Sequence, residues 1–203
     1  MRAFSGVWVT MVTPYYENGR IDYGAVDAMV EHFVGSGIDG IFAVCQSSEM
    51  FWLSDAEKGE LCRRIVRAAN GRIRVIASGF TSYNPEDQAR DVLRARDAGA
   101  EASVLITSLI APKSQGDDQW MAHLDELLGG LPPDLAMGLY ECPFPYKRLL
   151  SPDMVKALAQ SGRFVFLKET SCALAQIGAK VEAAQGSPLS ILNANAQLLV
   201  PSF

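Results

Sequence analysis

The chain has 203 residues, 49% of them hydrophobic and 20% charged, with a formal net charge of −5. That is globular composition, with length for one large domain or two small ones and a core that needs no staples. The acidic balance gives no reason to expect a nucleic acid or an anionic membrane as partner.

In chain order, short apolar, β-branched or aromatic runs predict strands over 7–12, 41–44, 73–77, 102–106, 135–140, 164–167 and 189–192. They read as continuous hydrophobic runs, as expected of parallel strands covered on both faces. Between them lie amphipathic helices. The first carries Val26, Met29, Val30, Phe33 and Val34 on one helical face. The second opens with a capping box, Ser54 to Glu57, and turns Leu61, Cys62, Ile65 and Val66 inward, while Arg63, Arg64 and Arg67 make a solvated face. Asn84-Pro85 and Ser151-Pro152 each pair an N-cap with proline at the first helical position. Trp120, Met121, Leu124, Leu127 and Leu128 mark another helix, and a last one runs over 173–184. The Gly and Pro cluster at 129–133 is a helix-to-strand loop, not a linker.

Seven strands alternating with six helices, about 30 residues per unit, predict an α/β protein with parallel strands. No G-x-G-x-x-G follows the first strand, so the nucleotide signature of an open doubly wound sheet is missing. The even unit length favours a (β/α)8 barrel. A closed barrel needs an eighth strand, and only ten residues follow Asn193. The expectation is therefore a single partial TIM-barrel domain over 1–203, with the eighth strand and C-terminal helices missing.

Barrel enzymes place their chemistry at the carboxyl ends of the strands. There the sequence offers Cys45-Gln46-Ser47-Ser48-Glu49 after strand two, Tyr140-Glu141-Cys142-Pro143 after strand five and Lys168-Glu169-Thr170 after strand six. Lys168 is one of six lysines, and the other five fall in helices or loops. Alternation puts it on the face of Phe164 and Phe166. Desolvation there lowers the pKa of an ammonium and frees the neutral amine that attack on a ketone requires; the alternative is a lysine that snorkels to solvent or pairs with Glu169. Tyr140 ends the neighbouring strand, where a phenol can relay protons or simply belong to the core rim. Ser47 and Ser48 supply hydroxyls and backbone N–H groups for a substrate carboxylate. Glu49, Glu141 and Glu169 could hold a divalent cation, but alternation sends Glu169 away from the face of Lys168 and breaks the trio. His32 and His123 lie in helices and face solvent, so no metal is expected.

The segments GVWVTMVTPYYENGRID, GIDGIFAVCQSSEM, LYECP and FVFLKETS resemble, in order and spacing, the dihydrodipicolinate synthase/N-acetylneuraminate lyase family. The resemblance covers essentially the whole chain, and the 28 positions from Tyr140 to Lys168 are its most specific part. It implies a class I Schiff-base lyase or aldolase acting on pyruvate or a related 2-oxo acid, without cofactor. Lys168 would form the imine, Tyr140 would relay protons with Ser47, and Gln46, Ser47 and Ser48 would bind the substrate. It also implies a homo-oligomer, tetramer or dimer. Where the family has G-[ST]-T-G-E, Cys45 and Ser48 replace the glycines and Gln46 the first hydroxyl residue. Ser108-Leu109-Ile110 replaces the family's P-Y-Y, and Pro145 stands in the slot of the arginine that binds the semialdehyde. These departures speak against a true 4-hydroxy-tetrahydrodipicolinate synthase of lysine biosynthesis and for a divergent member. The reading from another class is an inactive or regulatory truncated barrel.

Four cysteines without a C-x-x-C pair read as reduced thiols, and no stretch approaches 18 apolar residues. The first residues are too polar for a signal peptide. The expected location is the cytoplasm.

Overall fold

The computed structural model describes residues 4–202. Among them are seven strands: β1 (Trp8–Thr10), β2 (Gly40–Ala43), β3 (Arg74–Ala77), β4 (Ala102–Ile106), β5 (Met137–Tyr140), β6 (Phe164–Glu169) and β7 (Ser190–Asn193). They alternate with α1 (Tyr23–Gly35), α2 (Asp55–Ala69), α3 (Pro85–Asp97), a one-turn α4 (Thr107–Ile110), α5 (Asp117–Gly129), α6 (Pro152–Ser161) and α7 (Leu174–Ala183). In the sheet the strands follow one another in chain order, and the registered pairs are parallel. This is the predicted α/β class, an incomplete TIM barrel.

All seven strands overlap the hydrophobic runs that predict them, though β1 is three residues where six are expected and β5 begins two residues later than its run, and two further differences stand out. β6 continues through Lys168 and Glu169, so Lys168 is a strand residue rather than the first residue beyond it. The two end strands, β1 and β7, are half-exposed along their length, while β2, β4 and β5 are buried throughout. A strand with a neighbour on one side only keeps part of its surface open.

Contacts divide the chain into two compact units. The N-terminal unit joins Gly6–Thr81 to Glu86–Val104; the C-terminal unit joins 105–202 to Ser82–Pro85 and to residues 4–5. In the N-terminal unit, Val26 and Val30 of α1 and Leu61, Cys62 and Ile65 of α2 are buried, as their spacing predicts. The capping box of α2 forms: the Glu57 N–H donates to Ser54 Oγ, and the Glu57 carboxylate accepts from the Ser54 N–H. In the C-terminal unit, Ser151 caps α6 with Pro152 at its first position. Trp120, fully buried, donates from Nε1 to the Thr107 carbonyl at 2.7 Å and anchors α5 to the end of β4.

At Gly138 the packing leaves no room for a side chain. A Cβ there would lie 2.1 Å from the Phe166 ring, so only glycine lets that ring cross β5. The β5–β6 register shifts by one residue at this point and then runs regularly to the pair Tyr140↔Lys168. No helix among the described residues is long and apolar enough to cross a membrane.

Candidate active site

The C-terminal unit brings the sequence's two leading candidates together. Tyr140 and Lys168 are register partners at the ends of adjacent parallel strands. In a parallel ladder, partners project to the same face, and here the Lys168 ammonium nitrogen lies 4.2 Å from the centroid of the Tyr140 ring. The ring is buried at 6% exposure, while Lys168 is half-buried. The negative face of the ring attracts the ammonium. The amine is thus neither directed into bulk water nor out of reach of the phenol-bearing ring.

The opposite face of the same strand ends carries an arrangement that strand alternation hints at but does not complete. Glu141 and Glu169, the residues next to Tyr140 and Lys168, are both fully buried. Between them sits Lys180 of α7, 1% exposed, donating to Glu141 Oε1 at 2.6 Å and to Glu169 Oε1 at 2.9 Å. Glu141 Oε1 also accepts from the Leu150 N–H at 2.8 Å, and its Oε2 accepts from the Thr170 N–H at 3.0 Å. Thr170 Oγ1 donates to the Glu141 carbonyl at 2.6 Å. Glu169 Oε1 accepts from the Ser171 N–H as well, while Oε2 has no partner among the described residues. Two of the three carboxylates considered for a cation, Glu141 and Glu169, therefore hold an ammonium instead, and the third, Glu49, is exposed. Sequence reasoning missed Lys180. The signal was its place on the buried face of α7, in line with Ile177 and Ala184, where a lone cation needs a buried anion.

The N-terminal unit holds the other candidates in the turn after β2. Gln46–Ser48 form one turn of 3-10 helix following Cys45. Ser48 is buried at 1% exposure; its hydroxyl donates to the Met11 carbonyl at 2.6 Å and accepts from the Cys45 N–H at 3.1 Å. Thr13 Oγ1 donates to the Ser48 carbonyl at 2.8 Å. The Ser48 hydroxyl is thus taken up in fixing the turn and offers a ligand at most its backbone. Ser47 is exposed and Gln46 half-exposed. The turn is entered through Val44, a buried β-branched residue at φ 47, and left through Glu49 at φ 61. Positive φ at a β-branched residue is costly and survives only where the surroundings impose it, which often marks a functional turn. No sequence pattern announces that strain.

The remaining candidates separate cleanly. His32 and His123 are exposed on α1 and α5. Cys45, Cys62 and Cys142 are buried free thiols and Cys172 is exposed. Burial pushes the Cys62 thiol up to about 12, which makes it a packing group. Ser108, Leu109 and Ile110 are buried in α4, where Ser108 Oγ donates to the Phe144 carbonyl at 3.4 Å.

Parallel strands in chain order, alternating with helices, define the class: an α/β protein with the architecture of an incomplete TIM barrel. The particular family follows from comparison. The sequence pattern of the Dihydrodipicolinate synthetase family matches residues 3–201, and the chain belongs to that family. It is 26% identical over 201 residues to the 4-hydroxy-tetrahydrodipicolinate synthase of Methanoculleus marisnigri, covering 98% of this chain and 67% of the relative. To the protein of the same name from an Exiguobacterium species it is 30% identical over 168 residues, 83% of this chain and 56% of the relative. The fold matches the crystal structure of the chloride-inhibited dihydrodipicolinate synthase of Acinetobacter baumannii complexed with pyruvate, with a TM-score of 0.87 at 24% identity, over 97% of this chain and 66% of that one. The chain thus spans between about half and two thirds of the length of these relatives.

Proposed function

We propose that the protein is a Schiff-base-dependent lyase or aldolase acting on pyruvate or a related 2-oxo acid, with Lys168 as the imine-forming amine. The observation that carries this reading is the contact of the half-buried Lys168 amine with the buried Tyr140 ring. Family membership and the pyruvate bound to a structural relative support it. The neutral amine adds to the 2-oxo carbon, and the carbinolamine takes up a proton and loses water to leave a protonated imine. That cation draws in the electron pair of the bond between the α and β carbons as the β-hydroxyl gives its proton to a base and the fragment leaves as an aldehyde, giving an enamine that is then protonated; the reverse sequence forms the bond. Tyr140 and the exposed Ser47 hydroxyl are assigned the proton transfers. Gln46, Ser47 and the backbone of Ser48 are assigned the substrate carboxylate, since N–H groups in a strand-to-helix turn suit an anion. No cofactor enters these steps.

The test is borohydride reduction of the protein with pyruvate, followed by peptide mass mapping. A reduced pyruvyl adduct on Lys168 is expected. Absence of adduct on the folded protein overturns the reading and favours the inactive or regulatory barrel. Consumption of a semialdehyde together with pyruvate would instead identify a true synthase, the activity in the names of the relatives; Pro145 and the buried Ser108-Leu109-Ile110 turn argue against it. We place the enzyme in the cytoplasm as a homo-oligomer, dimer or tetramer, with a small-molecule partner and neither nucleic acid nor membrane. Sedimentation tests the assembly.

A further inference from the structure

We infer that the buried Glu141–Lys180–Glu169 cluster is a positioning device that holds the Tyr140 ring against the Lys168 amine; the inference deepens the lyase reading and rests on it for its catalytic consequence. Glu141 is the residue next to Tyr140, and its carboxylate spans three separate segments. It accepts from the Leu150 N–H at the far end of the loop after β5, from the Thr170 N–H just after β6, and from Lys180 on α7. Thr170 returns a bond to the Glu141 carbonyl. The two strand ends that carry the ring and the amine are therefore tied to each other immediately beyond the pair. Glu169, next to Lys168, receives the same ammonium from the other side.

The cost of the arrangement argues that it does more than fill space. Two carboxylates and one ammonium are withdrawn from water, and Glu169 Oε2 is left without a partner among the described residues. Buried ionic groups are seldom the most stable filling for such a volume. What they supply is direction: a carboxylate satisfied from both oxygens fixes backbone positions that an apolar contact would leave free to slide. A helix-borne cation clamped by the two neighbours of the reacting pair fixes the relative height of β5 and β6. The 4.2 Å separation depends on that height.

The test uses the full chain labelled with 13C-lysine. The Lys168 ε-methylene, assigned by its loss in Lys168→Arg, is expected upfield of the other lysines because the Tyr140 ring lies against the amine and its ring current shields it. Glu141→Gln puts an amide N–H2 against the Thr170 or Leu150 N–H, and Thr170→Val removes the return bond without leaving a charge unpaired. Both are expected to move the Lys168 signal towards the ordinary lysine position. Both are also expected to slow borohydride trapping at saturating pyruvate, by about a hundredfold where the displacement reaches 1 Å. Leu127→Ala, a core cavity on α5 in the same unit, destabilises without touching the strand ends and should keep both signal and trapping rate. An unmoved Lys168 signal in folded Thr170→Val and Glu141→Gln overturns the inference, as does equal loss in Leu127→Ala. A signal that moves as expected in a protein that never traps pyruvate keeps the positioning role and discards the lyase reading.

Discussion

The turn after β2 and the paired ends of β5 and β6 solve the same problem with different means. Both must hold irregular backbone still at the carboxyl end of a strand. After β2 the work is done by neutral groups: the Ser48 hydroxyl between Met11 and Cys45, and the Thr13 hydroxyl on the Ser48 carbonyl. After β5 and β6 it is done by charges, with Lys180 between Glu141 and Glu169. Neutral hydrogen bonds contribute modestly and are lost modestly. Buried charges contribute little net stability when intact but cost several kcal/mol when one partner goes. The charged end should therefore be the brittle one, and it is the end that carries the amine. Two lysines there have opposite fates: Lys180 is enclosed between two carboxylates, while Lys168 stays half-buried beside a ring.

The largest effect expected from breaking this contrast is at Lys168. Lys168→Met should abolish the borohydride-trapped adduct altogether, read by mass. Appearance of the adduct on Lys180 instead would refute the division of labour. Next comes Tyr140→Phe, which keeps the ring contact and removes the hydroxyl. Turnover should fall by about 10²–10⁴, the range for a lost general acid–base, while the upfield Lys168 signal survives. A signal lost together with the rate would place the hydroxyl, not the ring, in charge of position.

Lys180→Met sharpens the comparison in stability. It strands two buried carboxylates, and a loss of about 3–5 kcal/mol is expected in denaturant unfolding. The double replacement Lys180→Met with Glu169→Gln should recover part of that loss, since one stranded charge is removed. A loss below about 1 kcal/mol, the scale of an exposed pair, would show that water reaches the cluster.

How much of this was legible in the sequence depends on the range of the interaction that made it. The strands, the cap of α2 and the Ser151-Pro152 start of α6 are local, and period, spacing and capping chemistry reveal them. Tyr140 and Lys168 were readable as candidates because strand ends in parallel α/β proteins carry function, but their contact needed a register that Gly138 and the shift beside it decide. The Glu141–Lys180–Glu169 cluster was half legible. Alternation turns both glutamates off the amine's face; what they meet there depends on how α7 packs, which no local pattern states. The strain at Val44 left no trace in composition at all.

At the neutral end the expected losses are smaller. Ser48→Ala removes the acceptor for the Cys45 N–H and the donor to the Met11 carbonyl, both buried, and should cost about 1–3 kcal/mol. Ser47→Ala, at an exposed position, should fall within about 0.5 kcal/mol of the parent. If the Ser47 hydroxyl relays protons, turnover drops in Ser47→Ala while the unfolding midpoint holds, and Ser48→Ala shows a shifted midpoint. Equal midpoints for the two would mean that the turn does not depend on its own hydroxyl network.

A pH-dependent effect belongs to the point where this turn hands over to α2. The Glu57 carboxylate accepts from the Ser54 hydroxyl at 2.6 Å and the Ser54 N–H at 2.8 Å. Those two bonds, the hydroxyl's first, hold its carboxyl below the usual carboxylate range. A carboxyl that is more acidic folded than unfolded adds stability above its unfolded value and loses it as pH falls through the folded one. Ser54→Ala deletes the hydroxyl that Glu57 accepts from and the oxygen that receives the Glu57 N–H, at a cost of about 1 kcal/mol near neutral pH. The gap between Ser54→Ala and the parent in urea midpoint should therefore narrow as pH drops below the carboxylate range, because protonated Glu57 no longer rewards the parent's extra bond. A gap that stays constant down to acid unfolding would assign the cap's worth to the Ser54 oxygen and the Glu57 N–H alone. The charge would then have no part in this neutral end, and the contrast with the β5–β6 ends would be complete.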